Sequence, residues 1–291
     1  MKEIKNVFDL VEKVISSSPI HVSINEEKVN ELANKMKEDG KVKFYTEDNK
    51  EYQTGIYIEI IKELVACSIN FCYWYGKHDI RPNNNSSTSM YNYVDNCFNE
   101  AKNSHALNFE NRILDLIDIL SWARFPLLEE RKRNLLELCE GRKAEEFAKL
   151  IWRKKYSENR LFFELIKRFQ GFASDMFLKR ASLFFIQLHR KYGWYENLMQ
   201  KLFVPADYQL PKILHFFDCI EYSTDLSLKI SENILIHKHS LEELQIRAST
   251  IKACKILQDI TKWNASDIDT YLWTKRKESN HPFHLTYTTD Y

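Results

Sequence analysis

The chain has 291 residues, with 42 Lys plus Arg against 41 Asp plus Glu and a formal net charge of +1. That balance argues against a protein that grips long nucleic acid, which normally carries a basic excess to replace counterions. Only 6 Gly and 6 Pro are present, which disfavours turn-dense sandwiches, barrels and Gly-rich phosphate loops, whereas 18 Phe, 15 Tyr and 6 Trp can fill a large core.

Val7, Leu10, Val11 and Val14 recur at helical spacing, so the chain opens on an amphipathic helix. An extended piece around Val22 and Ile24 follows. Asn25 then caps a second helix, with Glu26 and Glu27 in its first turn and Val29, Leu32, Ala33 and Met36 on its apolar face. Gly40 ends that helix, and residues 41–53 read as a polar turn or short hairpin with Val42, Phe44 and Tyr52. From Gly55 to Tyr75 the segment is too densely apolar for a surface helix and is expected at the centre. Residues 78–94, with Pro82 and an Asn/Ser cluster, read as a loop.

Helical patterns resume at 107–122, and Pro126 suits the first turn of a helix that Gly141 closes. Further helical runs are expected at 142–155, 157–169 and 174–192, the last closed by Gly193. Ser240 and Glu243 form a capping-box pattern at the start of SLEELQIRASTIKACKILQ, and a final helix spans 266–277. No repeat, low-complexity linker or charge block divides the chain, so one compact all-α domain over 1–291 is expected, with at most a small β-hairpin.

Cysteines at 67, 72, 97, 139, 219 and 254 include no CxxC pair, and several sit in apolar stretches, where a thiol behaves as a small hydrophobe. Reduced thiols in the cytoplasm are the economical reading. The opening MKEIKNVFDLVEK lacks a signal-peptide apolar run, and no run of 18 apolar residues exists, so neither export nor a membrane span is expected. The histidine pairs His237/His239 and His281/His284 lack the flanking ligands of a familiar metal motif, and no hydrolase, zincin, P-loop or dinucleotide pattern is present. Neither metal nor cofactor is expected.

Four segments carry more polar or aromatic detail than helix packing needs. In Asn70-Phe71-Cys72-Tyr73-Trp74-Tyr75, aromatics beside an Asn suit stacking and reading of a flat base, although filling a core is the commoner use of such rings. Asp175 and Lys179 stand four apart, with Arg180 adjacent; a surface ion pair is the bland reading, and a cationic pair at a helix start that holds phosphate is the functional one. Asp207 lies between Pro205 and Pro211 in FVPADYQLP, either as a helix cap or as a working carboxylate. Glu243 and Arg247 precede DIDTYLW in the last of the four, where Arg247 is either a helix partner of Glu243 or part of a site.

In this order the segments SSSPIHVSINEEKVNELANKM, SINFCYWY, FPLLEERKRNLLEL, FASDMFLKRASLF, FVPADYQLPKIL, EELQIRASTIKA, DIDTYLWTKRK and HPFHLTYTTDY resemble the queuosine salvage protein family, collinearly over nearly the whole chain. Three departures are visible: Gln209-Leu210 in the ADY segment where Arg-Val is usual, Ser182 after KRA where Gln is common, and GKHDIRPNNN after the aromatics in place of acidic residues. The resemblance implies an all-helical fold similar to helical DNA glycosylases. It also implies hydrolysis of the N-glycosidic bond of queuosine 5′-monophosphate, with queuine released for tRNA modification. It implies Asp207 as the catalytic carboxylate, Lys179 with Arg180 on the 5′-phosphate, and Asn70, Phe71 and Trp74 around the base. Asp175, Tyr208 and Arg247 would orient the sugar or support the site. The expected partner is a small nucleotide, bound by a cytoplasmic monomer without a cofactor. A DNA-repair-type glycosylase would want a Gly-rich hairpin and a basic face, neither of which the sequence shows. A non-catalytic binder of a modified base would use the same pocket and is separated only by turnover.

Overall fold

In the computed structural model, residues 2–42, 56–75, 85–99, 108–153 and 156–291 are described. The chain is mostly helical. The first helix, α1 (Lys2–Ile15), buries Ile4, Val7, Val11 and Val14. The strand β1 (Val22–Ile24) then leads to α2 (Glu26–Asp39), where the Asn25 side chain accepts from Lys28 N–H and Gly40 closes the last turn at φ 78°. The sheet is a two-stranded antiparallel pair among the described residues: β1 meets β2 (Ile220–Tyr222), with Val22 opposite Tyr222 and Ile24 opposite Ile220. The expected hairpin lies beyond Val42, outside the described residues.

The central apolar segment forms α3 (Ile56–Ser68), buried from Ile60 onward, and then an irregular run through Tyr75, with Cys72 at φ 27°, instead of a longer helix. The expected loop over 78–94 is corrected in its second half, where Ser87–Asn99 forms α4. Ser86 Oγ accepts from Ser89 N–H at its start, and Met90, Val94, Cys97 and Phe98 bury one face at helical spacing. Asn108 caps α5 (Phe109–Trp122). Pro126 falls ahead of α6 (Leu128–Cys139), because Leu127 takes a left-handed conformation there and the Pro126 carbonyl accepts from Arg131.

A short 3₁₀ turn at Glu140–Arg142 leads to α7 (Lys143–Trp152), followed by α8 (Glu158–Arg168) and the single turn α9 (Gln170–Ala173). The helix expected over 174–192 begins only at Lys179, as α10 (Lys179–Tyr192), so Asp175 occupies the preceding turn and shares no helix face with Lys179. After α11 (Glu196–Met199) and α12 (Gln209–Phe216), the chain passes through β2 and α13 (Thr224–Ser231). The longest helix is α14 (Leu241–Thr261), and α15 (Ala265–Lys275) starts on a capping box between Asn264 and Asp267. At α14 the Ser240 hydroxyl accepts from Glu243 N–H, but Glu243 returns its bond to His239 N–H, one residue earlier than a capping box requires.

Two buried apolar clusters organise these elements. One surrounds α3 and α10 and takes in α1 and α4 to α8, whereas the other gathers α2, α12 and α15 on α14. Burial of this much apolar surface is what holds short helices that would not persist alone. The segment between α11 and α12, carrying Pro205 to Tyr208, runs where the clusters meet. Among the described residues no helix is long and apolar enough to cross a membrane.

Candidate active site

A cavity of about 610 Å³ is walled by residues of α3, α4, α10 and α15, by Asn70 and Tyr73 of the run after α3, by Pro205, Asp207, Tyr208 and Gln209, and by Tyr291. That volume suits a small organic ligand. Each helix contributes one stripe. From α10 come Lys179, Leu183, Gln187 and Arg190, spaced four, four and three, with Lys191 beside them; from α15 come Asp269 and Trp273, four apart, with Arg276 at its C-cap. Thr88, Tyr91, Asn92 and Asp95 repeat the pattern on α4.

Asp207 is half-buried in the wall and divides its two oxygens between different tasks. Its Oδ1 accepts from Gln209 N–H at 2.7 Å and Leu210 N–H at 3.4 Å, which opens α12 and fixes the carboxylate in orientation. Its Oδ2 has no hydrogen-bond partner among the described residues. Capping and availability for chemistry therefore coexist in one side chain. The turn is held from outside by Ser182, whose hydroxyl donates to Phe203 O at 2.6 Å, and by Arg247 Nε, which donates to Ala206 O at 3.2 Å.

Lys179 is 2% exposed and donates from Nζ to Asn70 O at 3.0 Å and Asn70 Oδ1 at 3.2 Å. Burial lowers its pKa, against the pull of the Asp207 charge. Asp269, on the same cavity, is buried and ion-paired with Arg190, which also donates from Nε to Thr270 Oγ1 at 2.8 Å. Burial raises the Asp269 pKa; Arg190 opposes the rise and the Asp207 charge adds to it. Two carboxylates with unlike surroundings and one buried ammonium thus share this part of the wall. Elsewhere, Glu63 is buried and paired with Lys191, and Tyr91 donates to its Oε2 at 3.4 Å while accepting from Gln187 Nε2 at 3.2 Å. Burial raises the Glu63 pKa in spite of Lys191.

Of the residues singled out in the sequence, Asn70, Lys179, Asp207 and Tyr208 line the cavity. Phe71, Trp74, Asp175, Arg180 and Arg247 do not. Phe71 has the guanidinium groups of Arg131 and Arg180 over its ring, 4.3 and 5.2 Å from the centroid. Trp74 packs edge-on against Tyr208 at 4.5 Å and against Phe283 at 5.3 Å. The run 69–75 is irregular rather than helical, with Cys72 at φ 27°, and Tyr73 takes the cavity position. Arg131 fixes this run: its guanidinium donates to the carbonyls of Ile69, Phe71 and Cys72. Arg180 donates to Ser68 O at 2.6 Å and Ser174 Oγ at 3.1 Å, and burial lowers its pKa to about 10.

Asp175 accepts from Phe177 N–H at 3.0 Å and Lys179 N–H at 2.8 Å, and pairs with Arg247. It thereby supports α10 from beneath the cavity. Sequence reasoning held Tyr73 and Asp269 within its chosen segments without giving either a role, and did not single out Glu63, Tyr91, Gln187, Arg190 or Arg276. The signal for several was present, because polar residues on α10 and α15 repeat at helical spacing from Lys179 and Asp269. Among the described residues no group of His, Cys, Asp and Glu has the arrangement of a metal site.

The family model described as queuosine salvage protein matches residues 59–291. The chain belongs to the queuosine salvage protein family. All the residues lining the cavity fall inside the matched span, while α1, β1 and α2 precede it. A curated relative from Schizosaccharomyces pombe, named queuosine 5′-phosphate N-glycosylase/hydrolase, is 35% identical over 92 residues, or 31% of this chain and 26% of its own length. One of the same name from Dictyostelium discoideum is 32% identical over 128 residues, 40% of either chain. The aligned parts therefore span well under half of the curated relatives.

Proposed function

We propose that this protein hydrolyses the N-glycosidic bond of queuosine 5′-monophosphate, releasing queuine and ribose 5-phosphate. The observation that carries the reading is Asp207, a carboxylate pinned by one oxygen with the other unbonded, in a cavity of nucleotide-compatible size in a chain of this family. As the bond from the sugar's anomeric carbon to the base nitrogen breaks, the electron pair leaves with the base and the sugar becomes oxocarbenium-like. A fixed carboxylate attracts that developing charge more strongly than the neutral ground state, so its effect falls on rate. Asp207 Oδ2 also serves to accept a proton from the attacking water, whose oxygen joins the anomeric carbon, while the departing base gains a proton.

Lys179 balances the paired charges of Asp207 and Asp269, and Asn70 holds its ammonium in place. Tyr73 and Tyr208 supply ring surface to the base, and Tyr73 brings a hydroxyl that has no partner among the described residues. The six free thiols support a reducing compartment such as the cytoplasm. The test is incubation of purified protein with queuosine, queuosine 5′-monophosphate and common nucleotides, with free base separated by chromatography. Release of queuine from the monophosphate is expected; no release from any of them contradicts the reading.

A further inference from the structure

Four cationic side chains line the cavity among the described residues, Lys179, Arg190, Lys191 and Arg276, and they are not equivalent. Arg190 is taken by Asp269, and Lys191 by Glu63 with Glu59 farther off. Lys179 is tied to Asn70 and stands in the field of Asp207 and Asp269. A phosphate dianion brought to any of these three would meet carboxylates already in place. Arg276 differs. No carboxylate among the described residues pairs with it, and the neighbouring Glu278 is engaged by Lys275 at 3.1 Å.

The guanidinium of Arg276 lies over Trp273, with its central carbon 3.3 Å from the ring centroid, and one nitrogen donates to Trp273 O at 2.8 Å. That bond also satisfies a carbonyl at the C-terminal end of α15, the ordinary use of an Arg there. It occupies one N–H. The others have no partner among the described residues, although the residue is only partly exposed and burial lowers its pKa. A stacked guanidinium is held in plane, and its fork matches two phosphate oxygens at once. Tyr208, next to Asp207, lines the same cavity as Arg276, so the two ends of this wall belong to one site.

We propose that Arg276, stacked on Trp273, is the anchor for the substrate's 5′-phosphate and sets the preference for nucleotide over nucleoside. This rests on the nucleotide-hydrolase reading for its substrate, yet the phosphate site has a binding test of its own. Ribose 5-phosphate and ribose would be titrated into the wild-type protein, Arg276→Gln, Arg276→Lys and Lys179→Ala by calorimetry. The wild type is expected to prefer ribose 5-phosphate, and Arg276→Gln to lose about 10- to 100-fold of that affinity, the scale of charge-assisted hydrogen bonds. Arg276→Lys should recover part of it, and Lys179→Ala should keep the preference.

Equal affinity in wild type and Arg276→Gln overturns the proposal, as does a wild type that ignores ribose 5-phosphate or a preference lost in Lys179→Ala alone. Base release by the wild type is scored separately. A protein that binds ribose 5-phosphate through Arg276 but releases no base keeps this site and loses the hydrolase reading. With hydrolysis present, Arg276→Gln should raise KM for the monophosphate by a larger factor than KM for the nucleoside.

Discussion

Arg247 grips Asp175 through two parallel N–H···O bonds of 2.8 and 2.6 Å, and neither residue is more than 1% exposed. The same guanidinium donates to Ala206 O, the residue before Asp207, while Asp175 accepts from the N–H of Lys179. One buried pair thus ties the turn that carries Asp207 to the helix start that carries Lys179. The Asp175 carboxyl is held below its ordinary pKa, as Arg247 and two backbone N–H groups outweigh burial.

Removing one partner leaves the other charge buried and uncompensated. Arg247→Met is expected to lower stability by about 3–5 kcal/mol, and Asp175→Asn in the same chain should restore part of the loss. Urea unfolding of the single and double variants measures this. A single variant within about 1 kcal/mol of wild type would show that the pair does not carry the fold.

A pH dependence follows from His284, which is buried, with Nε2 2.9 Å from the Tyr291 hydroxyl. Burial, aided by the nearby Arg247 charge, lowers its pKa from 6.5 to about 3. The unfolded chain takes up this proton below 6.5 and the folded one does not until about 3. This group therefore makes stability fall as pH drops through that window, by up to about 1.4 kcal/mol per unit. The raised carboxyls of Glu63, Glu243 and Asp269 act with the opposite sign, so the informative quantity is the difference between wild type and His284→Gln. Urea midpoints from pH 7 to 4 should drop less steeply in the variant; parallel curves would contradict the assignment.

Tyr73 presents a buried hydroxyl with no partner among the described residues on the cavity wall. Tyr73→Phe keeps the ring and removes only that group. Stability is expected to hold or rise, because an unmet polar atom disappears, while substrate affinity falls about 10-fold or more. Thermal denaturation and substrate KM together test this. Unchanged KM would leave the hydroxyl without a role in recognition.

The sequence made the helices legible where caps and periodicity agree, as at Asn25 with α2 and Gly193 with α10. It misled over 87–94, where Ser and Asn residues suggested a loop although Met90, Val94 and Phe98 already marked a helix face. The β1–β2 pairing joins residues nearly 200 positions apart, which no local pattern reveals. Around Asn70 the sequence pointed to Phe71 and Trp74, whereas Tyr73 is the ring of that segment that lines the cavity. An irregular backbone, with Cys72 in the left-handed region, puts Tyr73 on the wall and leaves Phe71 and Trp74 packed away from it. Buried charge was hardest to read, because Arg131, Asp175 and Arg247 look like ordinary surface residues until their partners arrive from distant segments.

The central claim is that Asp207 works by its charge. Asp207→Asn retains an oxygen to accept from Gln209 N–H and Leu210 N–H, so α12 should still be capped and the protein should fold and bind as before. The decisive measurement is single-turnover release of queuine from queuosine 5′-monophosphate by this variant at saturating protein. A rate about 10²-fold or more below wild type, with unchanged substrate affinity and melting temperature, is the predicted result. A rate near that of wild type would remove Asp207 from the chemistry and contradict the account.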